Sequence, residues 1–223
     1  MRLARLMAVL LAALLAPALH AQTAEERFAR DAAQHSRDLR DLYSLRGIQS
    51  PKMGDATVAE VAQYLTAQRT DASPGYPDGS AVLFYAEQDG RLNVYLIGRE
   101  GLLASSSRKV AAGDLELAST EFRLDLDVDG IARSRAPRWR GDPALVEPAK
   151  PAKRAPRRKK DPAEALSALL LPDEIRPALQ QVRHLVVVAN GVIGSNPFAM
   201  LPFDRENALI DRMSVSVSPG LFD

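Results

Sequence analysis

The 223-residue chain sets 29 Lys and Arg against 28 Asp and Glu, so overall charge favours no polyanionic partner and any such case rests on local clustering. It contains no cysteine, which excludes disulfides, thiolate metal sites and a cysteine nucleophile. With 46% hydrophobic residues, its length suits one globular domain plus extensions.

Arg2 and Arg5 precede an uncharged apolar run over residues 6–16, which Pro17 breaks ahead of small residues. This is the pattern of a secretory signal peptide over residues 1–21, cleaved after Ala21 or Ala18, and it predicts an exported chain, periplasmic or secreted. The run is too short to cross the ~30 Å of a bilayer's hydrocarbon. Residues 22–69 read as an N-terminal helical segment. Phe28, Ala32, Leu39 and Leu42 share one stripe over residues 23–46, closed by Gly47 and Pro51. Val58, Val61, Ala62 and Leu65 keep the helical period in a second helix over 58–68.

Residues 70–132 form the next segment. Its start, with Pro74, Gly75, Pro77, Asp78 and Gly79, is a predicted loop. Two aliphatic and aromatic runs, 81–86 and 92–97, flank Gln88-Asp89-Gly90 and predict an antiparallel hairpin, because Asp-Gly supplies the positive φ values of a tight turn. A further extended piece is expected at 102–104. Residues 111–128 fit helix or strand: Leu115, Leu117, Phe122, Leu124, Leu126 and Val128 mostly alternate, whereas Ala111 and Ala112 do not.

Composition shifts over residues 133–160. Pro137, Pro143, Pro148, Pro151 and Pro156 interrupt regular structure, and Lys150, Lys153, Arg154, Arg157, Arg158, Lys159 and Lys160 form a cationic block. Such a stretch has too little apolar surface to offset its ordering entropy and is expected to be a linker. From 161 to 223 the pattern is ordered again. Asp161 and Pro162 start a helix with Leu166, Leu169 and Leu170 on its apolar face, and a shorter helix is expected over 173–181. His184-Leu185-Val186-Val187-Val188-Ala189 is apolar on both faces and reads as a central strand of a parallel sheet. After an Asn190-Gly191 turn comes Asn196-Pro197-Phe198-Ala199-Met200-Leu201, and last Met213-Ser214-Val215-Ser216-Val217-Ser218, a strand with valines on one side and serines on the other. Helix and strand alternate as in α/β proteins.

These segments, in this order, resemble the front portion of the CHAT domain, a relative of caspase-type peptidases. The resemblance runs from about residue 57 to the end. It is carried by the hairpin, by Leu166-Ser167-Ala168-Leu169-Leu170-Leu171-Pro172, by the strand at 183–189, by Asn190-Gly191-Val192-Ile193-Gly194-Ser195-Asn196-Pro197-Phe198-Ala199-Met200-Leu201, and by Ala208-Leu209-Ile210-Asp211-Arg212-Met213 with the strand after it. Asn190 stands where the family usually has aspartate, and Asn196 where it has leucine. The resemblance implies a partial caspase-like α/β fold: parallel core strands with flanking helices, preceded by an antiparallel hairpin and N-terminal helices. The family's histidine and cysteine follow later strands, so no catalytic residue is carried over and this chain is not expected to be an enzyme. About 50 residues precede the match, too few for a helical-repeat solenoid.

The remaining candidates are weak. His184 lies before its strand, whereas α/β chemistry gathers after strands, so a structural role is expected. His35 is assigned to the helix surface, and His20 leaves with the signal. Asp125-Leu126-Asp127-Val128-Asp129-Gly130 imitates the start of a calcium loop, but Ala136 stands where the closing glutamate is needed. Gly194-Ser195 lacks the nucleophile-elbow context, and Gly191 with Gly194 makes no dinucleotide fingerprint. No cofactor or metal is expected. The block from Lys150 to Lys160 is the best binding candidate, for an anionic surface, at ~1 kcal/mol per basic residue near anionic lipid. Trp139 alone provides no stacking platform, so no specific nucleic acid is expected and the partner is a protein.

Two core strands leave the central one half unpaired. Uncovering Leu185, Val186, Val187 and Val188 would forfeit ~6–12 kcal/mol, as much as a domain's whole stability. The expectation is therefore a fragment, or a chain that needs a partner strand and aggregates alone through an open edge. Three readings follow: an exported non-catalytic CHAT protein, an interaction module that uses the basic linker to find a surface, and the front half of a cysteine peptidase completed elsewhere.

Overall fold

The computed structural model describes residues 23–48, 56–67, 75–111, 113–126 and 161–222. The expected signal segment, the expected linker with Lys150, Lys153, Arg154, Arg157, Arg158, Lys159 and Lys160, and Asp127 and Asp129 of the calcium-like run lie outside them.

Helix α1 (Ala24–Leu45) begins at Thr23, whose hydroxyl accepts from the Glu26 amide while the Glu26 carboxylate accepts from the Thr23 amide. Helix α2 (Val58–Thr66) repeats the same reciprocal cap with Thr57 and Glu60. Each cap satisfies two amides that a helix start leaves open and contributes about 1 kcal/mol. Phe28, Ala32 and Leu39 bury the predicted stripe of α1, while Leu42 is exposed beyond it.

Strands β1 (Ser80–Gln88) and β2 (Arg91–Gly98) form the expected hairpin. Asp89 and Gly90 turn it with φ of 52° and 67°, the paired positive values that match strand twist. The extended piece expected at 102–104 is longer, β3 (Gly101–Lys109), antiparallel to β2. The ambiguous stretch is helical: α3 (Asp114–Asp125) buries Leu115, Ala118 and Phe122 at spacings of three and four, and leaves Leu117 and Leu124 in solvent. Leucines on both faces produced the apparent alternation.

Asp161 caps α4 (Pro162–Leu170) as predicted, accepting from the Ala163 amide, with Pro162 in the first turn. A short α5 (Arg176–Leu179) leads into β4 (His184–Val188). Helix α6 (Gly191–Gly194), a 3₁₀ turn (Phe198–Met200) and α7 (Leu209–Arg212) precede β5 (Ser214–Ser218). Gly194 lets α6 pack on the end of β4, since a Cβ there would lie 2.6 Å from the Ala189 carbonyl oxygen. Arg176 ties the loops of this region together, donating to the carbonyls of Leu171 and Phe203 and to the Ser167 hydroxyl.

The five strands form one mixed α/β sheet in the order β3-β2-β1-β4-β5, with β4 parallel to both neighbours. The expectation of a half-unpaired central strand is therefore corrected. The first strand of the hairpin, β1, pairs with β4 on one side from Ser80↔His184 to Phe84↔Val188, and β5 pairs with it on the other. Leu185, Val186, Val187 and Val188 are all buried, and the forfeited burial is not incurred.

Alternation along the strands sends side chains into two cores. On one face Leu83, Tyr85, Val94, Leu96, Leu185 and Val187 pack with residues of α3, α4 and α5. On the other Val82, Phe84, Tyr95, Ile97, Val186 and Val188 pack under α1 and α2. Phe28 meets Phe84 and Tyr95 edge-on, with ring centroids 5.3 and 5.4 Å apart. The result is three layers, helix on sheet on helix.

Candidate functional site

Ligands of α/β sheets gather at carboxyl ends of parallel strands, where successive connections diverge. Here that place lies between β1 and β4: the chain leaves β1 toward β2, and leaves β4 through α6 toward β5. Strand β1 continues past its last pairing with β4, so Tyr85, Ala86, Glu87 and Gln88 overhang the junction beside Asn190. Helix α1 crosses this end and adds Asp31, Gln34, His35 and Asp38.

The space left is about 60 Å³. Ligand pockets hold ~300 Å³ or more, so the crevice takes water and not a substrate. Several of its polar groups are already bonded: Gln34 donates to Asp38, and the Tyr85 hydroxyl donates to the Leu170 carbonyl. Asp31 is 1% exposed, and its Oδ2 accepts from Asn93 Nδ2 at 2.8 Å and from the Tyr95 hydroxyl at 2.7 Å, while Oδ1 is buried without a hydrogen bond, 3.9 Å from Arg30 Nε. Burial first, and then the bond to Asp31, raise the Tyr95 hydroxyl above its usual range, so it stays protonated and donates.

His35 corrects the surface assignment made from sequence. It is 5% exposed, its Nε2–H donates to the Pro219 carbonyl at 2.7 Å, and its ring meets Phe84 at 5.3 Å. The histidine lies on the same stripe as Phe28 and Ala32, one turn beyond Asp31. His184, half-buried at the start of β4, meets Ser214 Oγ at 2.5 Å and joins the starts of two neighbouring strands. Asp125 ends α3, and among the described residues no group of three His, Asp or Glu stands close enough to hold a metal ion. Ser195 closes α6 with its hydroxyl donating to the Val192 carbonyl, and Gly191 and Gly194 bound that helix.

The structure therefore brings together Asp31, Asn93 and Tyr95, with His35 one turn along α1 bonded to Pro219, and none of these was singled out for chemistry by sequence. A signal existed in polar residues set into apolar patterns: Asp31 and His35 within the buried stripe of α1, and Asn93 inside the buried strand β2. No family model, curated protein or solved structure matches the chain.

The open edge of the sheet is the other feature of interest. β3 ends one side and carries Arg108 and Lys109. β5 ends the other with Ser-Val-Ser-Val-Ser and no charge. The Ser214 amide donates inward to the Arg183 carbonyl at 2.9 Å, so alternation turns the N–H and C=O groups of Val215 and Val217 outward. Val217 is 49% exposed, and Ile210 and Phe222 are exposed nearby in sequence.

Proposed function

We propose that this chain is an exported module of CHAT-like ancestry that acts by binding protein and not by catalysis, accepting an extended segment of its partner along β5. The observation that carries the reading is the edge of β5, uncharged and unpaired among the described residues. Proteins commonly blunt such edges with lysine, proline or a covering element, as Arg108 and Lys109 do on β3. An edge left without charge, with exposed Val217 as its fourth residue, suits strand addition, in which main-chain bonds supply affinity and side-chain pockets select sequence. The filled crevice at the carboxyl ends of β1 and β4 fits the same reading, because α1 occupies the place where this architecture hosts substrates. The CHAT-like origin rests on the ordered segments quoted above, and export on Arg2, Arg5 and the apolar run after them.

The test is a selection of random linear peptides on the purified chain, followed by amide exchange of the complex. Selected peptides are expected to protect the amides of Val215 and Val217. Val217→Pro, which removes an outward N–H and no hydrogen bond to β4, is expected to weaken them by at least about tenfold while the fold persists. Peptides that bind Val217→Pro as well as the parent chain would sink the proposal, as would their hydrolysis by the purified protein.

A further inference from the structure

We propose that a second concave surface, toward the β2–β3 side of the sheet and away from β5, binds a phosphate-bearing ligand. It is a cleft of about 310 Å³ where Arg27 and Arg30 of α1 converge with Arg91 of β2, beside Gln88, Asn93 and Ser107. That volume lies within the range of small-ligand sites.

Its floor is fixed by a chain of hydrogen bonds. Arg91 donates through Nε to the Ser107 hydroxyl at 3.1 Å and through Nη2 to the Ser107 carbonyl at 3.0 Å. The Ser107 hydroxyl donates to Asn93 Oδ1 at 2.6 Å, and Asn93 in turn donates to buried Asp31. Arg91 is thereby held in one orientation, with its remaining amino group uncommitted among the described residues. Arg27 makes no side-chain hydrogen bond or ion pair among those residues. Arg30 has one long contact, 3.9 Å from its Nε to Asp31 Oδ1.

Three guanidinium groups thus share one hollow with a single rim carboxylate, Asp89. With Asp89 on the rim and Asp31 behind Arg30, positive charge is still in excess by one; that excess raises the local potential, and a bound anion lowers it. The donors converging here exceed what the two oxygens of a lone carboxylate accept, and the planar guanidinium fork matches the edge of a phosphate. No aromatic ring lines the cleft, so the fit is to the phosphate group itself and not to a stacked base. The free phosphate ester and the phospholipid headgroup share this chemistry.

The experiment measures pyrophosphate binding by calorimetry at low salt. A parallel arm measures binding to phosphatidylcholine vesicles with and without phosphatidate. Saturable binding in either arm is expected, and the responding arm identifies the source as soluble or lipid. Arg27→Gln should weaken it about tenfold and R27Q/R30Q about a hundredfold, as charge-assisted bonds of this kind predict. Arg205→Gln, on an exposed loop elsewhere, should leave binding unchanged. Circular dichroism confirms that the variants keep their fold. Absence of saturable binding in both arms overturns the proposal, and so does equal binding by the folded R27Q/R30Q variant.

Discussion

Asp31 occupies a position on α1 between Phe28 and Ala32 where an apolar side chain would suit the packing, and it holds the amide of Asn93 and the hydroxyl of Tyr95 from across the sheet. What those donors need is an oxygen acceptor, which a neutral amide also provides. Replacing Asp31 with alanine strands both donors in a dry interior, at ~1–3 kcal/mol each. Asp31→Ala is therefore expected to lose about 2–5 kcal/mol in urea unfolding, and Asp31→Asn to stay within ~1 kcal/mol of the parent. If both cost the same, the negative charge itself is essential to the network. The residue scale was partly legible in sequence. Polar residues inside apolar patterns were visible at Asp31, His35 and Asn93, but the bond from Asn93 to Asp31 depends on α1 lying over β2, and that from His35 to Pro219 on the chain's return after β5, which no local pattern encodes. Arg27 and Arg30 are ordinary helix-surface residues until Arg91 comes to meet them.

At the scale of elements, the clearest expectations were those with local chemistry. Asp89-Gly90 specifies a tight turn between two apolar runs, Asp161-Pro162 specifies a helix start, and the β-branched run before Ala189 specifies a buried strand. β3 was underestimated because Ser105, Ser106 and Ser107 form a half-exposed edge, where polarity is cheap and periodicity fades. α3 was ambiguous because Leu117 and Leu124 point to solvent and mask the helical stripe. The turn gives a direct test. Gly90 has φ of 67° and open space around its Cα, with the nearest atom to an added Cβ 3.9 Å away, so Gly90→Ala suffers conformational strain and no clash. The expected loss is about 1 kcal/mol, measured by chemical denaturation. A loss several times larger would mean that packing, not φ, governs the position.

For the whole molecule, the partner of β4 was the feature that sequence concealed. Pairing β1 with β4 joins residues about a hundred positions apart, and such closure leaves no local trace. It also changes the energetic outlook. With both neighbours present the central strand is covered, and among the described residues the sheet ends in β3 on one side and the short, uncharged β5 on the other. The same pairing means that the segments on either side of residues 127–160 are interleaved. β1 lies against β4, and α3 packs beside α4 in one core, so neither segment holds a complete interior without the other.

A polypeptide nicked within residues 133–160 should thus behave as a heterodimer. A single engineered protease site there, once cut, is expected to yield two pieces that co-elute on gel filtration and separate only in denaturant. Immediate separation in plain buffer would contradict the shared sheet. The peptide bonds crossing that stretch would then serve assembly more than endurance, bringing two complementary halves to one address and becoming expendable once they have met.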